Sequence, residues 1–222
     1  MLRIRFIVDA EANGLKEIDQ AVGSNQPCES LLLKKVELLL VRNFLGDARV
    51  QVRELLKQFP NSLPGWRTLA AMEEAAGNCR LLCAALEQVC RLAPNDRSAS
   101  LSLARCYADL GLWQNAISAV RGLLQASPAD TEAKQLLVRL LLDSCEGDRL
   151  RVAHPRDVRA CYEEAVYIAA DLVCRDGSAD NLQLLGQAQQ ALGQARDAIS
   201  CFLHSLAIEN STATLETAIP DE

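Results

Sequence analysis

The sequence has few aromatic residues, and this shortage narrows the fold classes that it can form. Only 4% of its 222 residues are Phe, Trp or Tyr, whereas 50% are hydrophobic, mostly Leu, Ala and Val. Sandwiches and barrels need more aromatic and β-branched residues, because these side chains fit a pleated surface. The composition therefore favours an all-α fold whose helices pack through small and medium side chains.

The motifs of common enzymes and metal sites are also missing. The sequence has two histidines, His154 and His204, no HExxH or GxSxG motif and no phosphate-binding glycine loop. Cys79 and Cys83 are four residues apart and would share a helix face, but a tetrahedral metal site needs two further ligands that the pattern does not supply. We expect no cofactor, no metal and no enzymatic activity; a thiol-redox enzyme that uses this cysteine pair is the disfavoured alternative.

There is no surplus of positive charge and no long apolar run. The net charge is -6, which argues against general nucleic-acid binding, because phosphates are neutralised by Lys and Arg. No apolar run approaches the roughly 18 residues of a membrane-spanning helix. Nine cysteines without a CxxC pair predict free thiols in a reducing compartment, the cytoplasm, with a mitochondrial location as the alternative.

A repeat of 34 residues is the strongest positive signal in the sequence. Pro60, Pro94 and Pro128 are spaced by 34 positions, and each follows an apolar stretch with helical periodicity that the proline ends. Three segments between and after these prolines align in the same register. Their aligned residues are Trp66, Leu69, Ala70 and Gly77; Leu103, Ala104, Tyr107, Gly111 and Ala116; and Leu185, Gly186, Gly193, Ala198 and Phe202.

These residues resemble the tetratricopeptide repeat (TPR) pattern, in which each unit is a pair of antiparallel helices. The resemblance implies a right-handed α-solenoid of TPR-like helical hairpins. We expect an N-terminal segment at 1–28 that is either irregular or a degenerate repeat, and an array of about five units at 29–210. An insertion near 145–155 should form a loop from Cys145 to Pro155, and 211–222 should be a disordered acidic tail. The first unit, 29–62, matches less well, because Gly46 is displaced toward its second helix.

The resemblance also predicts a concave groove lined by the first helix of each unit. The groove positions hold three arginines and three glutamines: Arg67, Arg105, Arg139, Gln183, Gln187 and Gln190. Arginine binds carboxylates through paired hydrogen bonds, so we predict that the groove binds an acidic or C-terminal segment of a partner protein. The alternative is that the arginines pair with acidic residues on their own face. Those acids are Glu37, Glu73, Glu74, Asp109 and Asp143.

The leading functional prediction is a scaffold or adaptor subunit of a multiprotein complex. A chaperone for one client protein is an alternative, and so is an RNA-processing scaffold of the half-a-TPR type, which Trp66, Glu73, Gly77 and Asn78 resemble. We expect no nucleic acid and no membrane insertion. Because no polar capping helix is visible after Asn210, self-association through an uncapped end is a further prediction.

Overall fold

The computed structural model describes the backbone of residues 28–149 and 155–216 and the side chains of 28–145 and 158–211. Ten helices and no strand occur within these ranges. They are α1 (Glu29–Val41), α2 (Leu45–Gln58), α3 (Leu63–Ala75), α4 (Cys79–Leu92), α5 (Arg97–Asp109), α6 (Trp113–Ala126), α7 (Thr131–Arg149), α8 (Pro155–Arg175), α9 (Ala179–Leu192) and α10 (Ala195–Glu216). The expected N-terminal segment lies outside the described residues, apart from Cys28.

The tight turns between paired helices depend on residues with positive φ. Gly77, Gly111 and Gly193 have φ angles of 69°, 71° and 88°, which glycine adopts without steric cost. In the first hairpin Asn43 holds the same repeat position with φ 60°, because asparagine also tolerates the left-handed region. The displaced Gly46 is therefore not the turn residue, and this unit keeps the turn of the others.

Polar caps begin three of the helices at the same 34-residue spacing as the prolines. The side chains of Ser62, Asp96 and Asp130 each accept the backbone N–H of the third residue after them, at 3.1 Å. Such caps satisfy amide groups that have no partner within the first helical turn. At these three connections, one repeat ends at a proline and the next helix begins after a cap two residues later, which fixes the length of the connection.

The chain divides into two compact parts that are larger than a single repeat, with the boundary after Ser102 inside α5. They are called unit 1 (Met1–Ser102) and unit 2 (Leu103–Glu222). Unit 1 has a core in which Val36, Ala48, Val52 and Leu55 are almost fully buried. Trp66 and Leu69 pack against this cluster from α3. Aliphatic residues spaced three and four apart therefore join α1, α2 and α3, as the helical periodicity predicts.

Unit 1 also buries a carboxylate. Glu73 on α3 is fully buried, and its Oε2 accepts hydrogen bonds from Arg49 Nη2 at 3.2 Å and Asn78 Nδ2 at 2.8 Å. Arg49 Nε lies 3.1 Å from Glu73 Oε1 but without hydrogen-bond geometry. A buried carboxylate is stable only when it is paired, so these contacts lock α2, α3 and the start of α4 together.

In unit 2, α9 and α10 pack closely at Gly186. A Cβ atom at Gly186 would lie 2.6 Å from the ring of Phe202, so no other residue fits there without displacing the ring. Asn181 is fully buried; it accepts a hydrogen bond from Gln135 Nε2 and donates one to Asp176 O, both at 2.8 Å. Glycine at this repeat position confirms that small residues lie where helices meet closely.

Two predicted irregular segments are wrong in part. The loop expected from Cys145 is helical as far as Arg149, because Cys145 packs inward and its thiol lies 3.9 Å from Val158 O. The disordered tail expected from 211 is helical as far as Glu216. Residues 195–216 contain neither glycine nor proline, so nothing local ends α10 earlier. Residues 150–154 and 217–222 lie outside the described residues.

Candidate functional site

A cavity of about 630 Å³ is the candidate site in unit 2. Its lining comes from α7, α8 and α9. The lining residues are Arg139, Leu142, Asp143, Tyr162, Gln187, Gln190 and Ala191. The cavity therefore combines a guanidinium group, a carboxylate, two primary amides and an apolar wall.

Helical spacing directs these side chains toward the cavity. On α9, Gln183, Gln187 and Gln190 share one exposed face, while Leu184 and Ala188 are buried on the other. On α7, Arg139 is exposed between two buried aliphatic residues. The amphipathic pattern that buries one face of each helix thus presents polar groups to the cavity.

Arg139 forms no ion pair with any residue whose side chain the structure describes. Its guanidinium carries five donors in a planar fork. Gln187 and Gln190 each offer one acceptor oxygen and two donor hydrogens. The arrangement can therefore bind an anion and neighbouring peptide groups at the same time.

Unit 1 holds a second cavity, of about 400 Å³, but its arginine is already paired. Arg67 Nη2 donates to Asp96 Oδ2 at 2.6 Å, and both residues line this cavity with Ala70, Ala71 and Ser102. The backbone N–H of Ala99 and the Arg67 guanidinium hold the pKa of Asp96 below its usual value. Asp96 is thus anionic, and it already binds the Arg67 guanidinium that an acidic ligand would need.

The three predicted arginines differ in their ion-pair partners. Arg67 pairs with Asp96, and Arg105 Nη2 donates to Glu132 Oε1 at 2.7 Å. Neither partner is among the five acids that the sequence suggested, so both arginines pair within the protein but with other carboxylates. Arg105 is not among the residues that line the unit 2 cavity.

Within the predicted set, only Arg139, Gln187 and Gln190 line one cavity, and their binding role stays a prediction. Gln183, on the same helix face, does not line it. Sequence reasoning missed Tyr162 and Leu142. Tyr162 comes from α8, the second helix of the unit with the insertion, where the repeat register is lost.

All nine cysteines are free thiols. Cys83 is buried and Cys79 partly exposed, and burial raises the pKa of the Cys90 and Cys201 thiols. Among the described residues, no group of three or more His, Cys, Asp or Glu side chains could hold a metal ion. In the same part of the chain, no helix is both long and apolar enough to cross a membrane.

Antiparallel helices joined by left-handed turns and capped at a 34-residue period define a fold of TPR-like helical hairpins. Solved structures agree with this fold. A MamA protein superposes with a TM-score of 0.67 at 16% identity, over 87% of this chain and 98% of its own. YrrB, described as a TPR protein with an unusual peptide-binding site, gives a TM-score of 0.67 at 15% identity, over 87% and 92%.

A tetratricopeptide repeat protein from Parabacteroides merdae matches over 93% of this chain and 88% of its own, with a TM-score of 0.53 at 14% identity. No family model matches the chain, and no curated protein matches its sequence. These structural matches confirm the predicted all-α solenoid of TPR-like hairpins, and with it the resemblance drawn from the residues.

Proposed function

We propose that this chain is a non-catalytic scaffold or adaptor that binds an extended, carboxylate-bearing segment of a partner protein in the unit 2 cavity. The observation that supports this proposal is that Arg139, which forms no ion pair with a described side chain, lines a cavity of about 630 Å³ together with Gln187 and Gln190. The similarity to YrrB adds support, since that TPR protein is described as having a peptide-binding site.

The chemistry of the lining side chains defines the ligand. Arg139 would bind a carboxylate through two parallel N–H···O bonds, from an Asp or Glu side chain or from a C-terminus. The amides of Gln187 and Gln190 would donate to and accept from the peptide backbone. Leu142 and Tyr162 would contact an apolar side chain next to the carboxylate, which favours an acidic–aliphatic sequence.

The paired arginines reduce the three-arginine hypothesis to one residue. Arg67 and Arg105 already neutralise Asp96 and Glu132, so an acidic ligand would have to displace an internal carboxylate from each. Arg139 forms no ion pair with a described side chain, although the Asp143 carboxylate lines the same cavity. We therefore assign the anion contact to Arg139 alone. Separately, the nine free thiols support the proposal that the protein works in a reducing compartment.

A peptide-array screen followed by fluorescence anisotropy tests the proposal. The array would hold nonapeptides that vary in acidic content, each with a free or an amidated C-terminus. Peptides with acidic residues or a free C-terminal carboxylate should bind, and Arg139→Gln should weaken them at least about tenfold, which corresponds to about 1.4 kcal/mol.

Arg105→Gln is the matched control, because it removes the same charge from the same repeat position. It should leave peptide affinity within about twofold, since Arg105 does not line the cavity. Equal losses in both variants would indicate a general charge effect. No bound peptide, or unchanged binding by Arg139→Gln, would contradict the proposed site.

A further inference from the structure

An apolar stripe lies uncovered along α10. Ile199, Leu203 and Leu206 recur at i, i+4 and i+7, so they share one helix face, and they are 59%, 62% and 53% exposed. Ala198 and Ser205 on the other side of the same helix are buried. Three large aliphatic side chains in one row form a patch, unlike the scattered single residues common on protein surfaces.

The repeat shows what normally happens to two of these positions. Cys83 and Ile117 occupy the position of Ile199 in earlier units, and they are 5% and 4% exposed. Leu56 occupies the position of Leu206, is 8% exposed and belongs to a cluster with Met72 of the following hairpin. In a hairpin stack these positions receive the first helix of the next unit, and on α10 no described residue does so.

The third position differs in its chemistry. Where α10 has Leu203, the earlier second helices have Arg53, Glu87 and Arg121, all exposed and charged. Among these four second helices, this position is apolar only on α10. Leu203 therefore widens the apolar stripe beyond the two positions that a following hairpin would cover. The wider stripe suits a facing helix.

The charges at the ends of the stripe indicate what that facing helix is. Arg196 precedes the stripe and Glu209 follows it, 13 residues later, or about 20 Å along the helix axis, too far to pair within one chain. Arg196 forms no ion pair with any described side chain. When two copies of α10 lie antiparallel with their Leu203 residues facing, each Arg196 comes beside the Glu209 of the other copy.

We propose that α10 is a homodimer interface, in which two copies pack antiparallel about a two-fold axis through Ile199, Leu203 and Leu206. Such an interface is self-complementary, as two-fold symmetry requires. Successive helices of a hairpin stack also run antiparallel, so the second copy's α10 takes the place of a next repeat. Among the described residues, those that line the unit 2 cavity come from α7, α8 and α9 and none from α10, so the dimer would present two free cavities.

Sedimentation equilibrium of the full chain from about 1 to 100 µM tests the dimer. The wild type should dimerise, and Leu203→Glu/Leu206→Glu should raise the dimer Kd at least about 100-fold, because charge is placed in the interface core. Leu81→Glu, at an exposed leucine on α4, is the matched control and should leave the Kd within about threefold. A wild type that stays monomeric at 100 µM would overturn the proposal, and so would equal loss in the control.

A charge exchange tests the antiparallel arrangement and does not depend on buried side chains. Arg196→Glu and Glu209→Arg should each weaken dimerisation about 3- to 10-fold, since each places like charges together across the axis. The double variant should restore the wild-type Kd, because the reversed pair attracts again. Additive weakening in the double variant would rule out this pairing. A parallel arrangement would leave all three Kd values near that of the wild type, because like charges would face each other before and after each exchange, and that result would also overturn the antiparallel arrangement.

Discussion

Two arginines, one in each unit, differ in whether they form an ion pair, although both lie on first helices that line a cavity. Arg67 in unit 1 is bound to Asp96, the residue that caps the next helix, whereas Arg139 in unit 2 has no acidic partner among the described side chains. The helix that follows in unit 2, α9, begins after Ser178, which carries no charge. Arg67 thus contributes an ion pair to the protein, whereas Arg139 is available to a ligand.

The acidic residues of the two units also differ, in how deeply they are buried. In unit 1, Glu73 is fully buried and paired with Arg49. In unit 2, the carboxylates of Glu132, Glu164 and Asp171 pair with basic residues while remaining partly exposed. Exposed pairs contribute little to stability, but leaving a buried charge without its partner costs several kcal/mol. Charge should therefore matter for the stability of unit 1 and packing for that of unit 2.

The largest expected effect is that of removing the buried carboxylate. Glu73→Ala should lower the free energy of unfolding by about 3 kcal/mol, because Arg49 and Asn78 lose their shared partner. Urea denaturation followed by circular dichroism would measure it. Glu74→Ala changes the exposed neighbouring carboxylate and should cost less than about 0.5 kcal/mol. Similar losses in both variants would remove the distinction drawn between buried and exposed charge.

Packing between α9 and α10 should give the next largest effect. Gly186→Leu should destabilise unit 2 by about 2 kcal/mol, since even a Cβ at this position would meet the Phe202 ring. Gly122→Leu is the matched control: it lies in α6 with nothing within 4 Å of a Cβ, so it should be neutral or stabilising by about 0.5 kcal/mol. Thermal unfolding of both variants would measure the contrast. A neutral Gly186→Leu would show that the helices separate freely.

The stability of unit 1 should depend on pH because of Asp96. Its pKa is lowered in the folded protein, so its stabilising contribution is fully present above the ordinary carboxyl pKa of about 4. That contribution is lost as the pH falls through the lower, folded-state pKa. Asp96→Asn keeps the cap but not the charge, so its loss of stability between about pH 5 and pH 2 should be smaller than that of the wild type. Parallel pH curves would contradict this assignment.

The smallest effects are expected for the two arginines themselves. Arg67→Gln should cost about 0.5 kcal/mol, as an exposed ion pair is lost. Arg139→Gln should leave stability unchanged within about 0.3 kcal/mol, since no ion pair with a described side chain is lost. Chemical denaturation of both variants under one buffer condition would compare them. A larger cost for Arg139→Gln would show that this side chain has a structural role.

The fold could be predicted from the sequence because its signals are local. Pro60, Pro94 and Pro128 end helices, and Gly77 and Gly111 allow the turns, without reference to distant residues. The insertion and the tail were predicted less well, since helix continues there through packing and the lack of a breaker. Part of the candidate site was predicted as well: Arg139, Gln187 and Gln190 follow from the groove register, whereas Tyr162 lies beyond the point where the register is lost.

The sequence by itself determined the period, the turns, the helix starts and the set of side chains on the groove face, because each depends on residues within a few positions. Only the tertiary structure decided which arginine is paired. Arg67 reaches an acid 29 positions away and Arg105 one 27 positions away, and no spacing rule distinguishes them from Arg139. The tertiary structure also decided that Glu73 is buried and that the stripe on α10 is not, since burial depends on what packs against a residue.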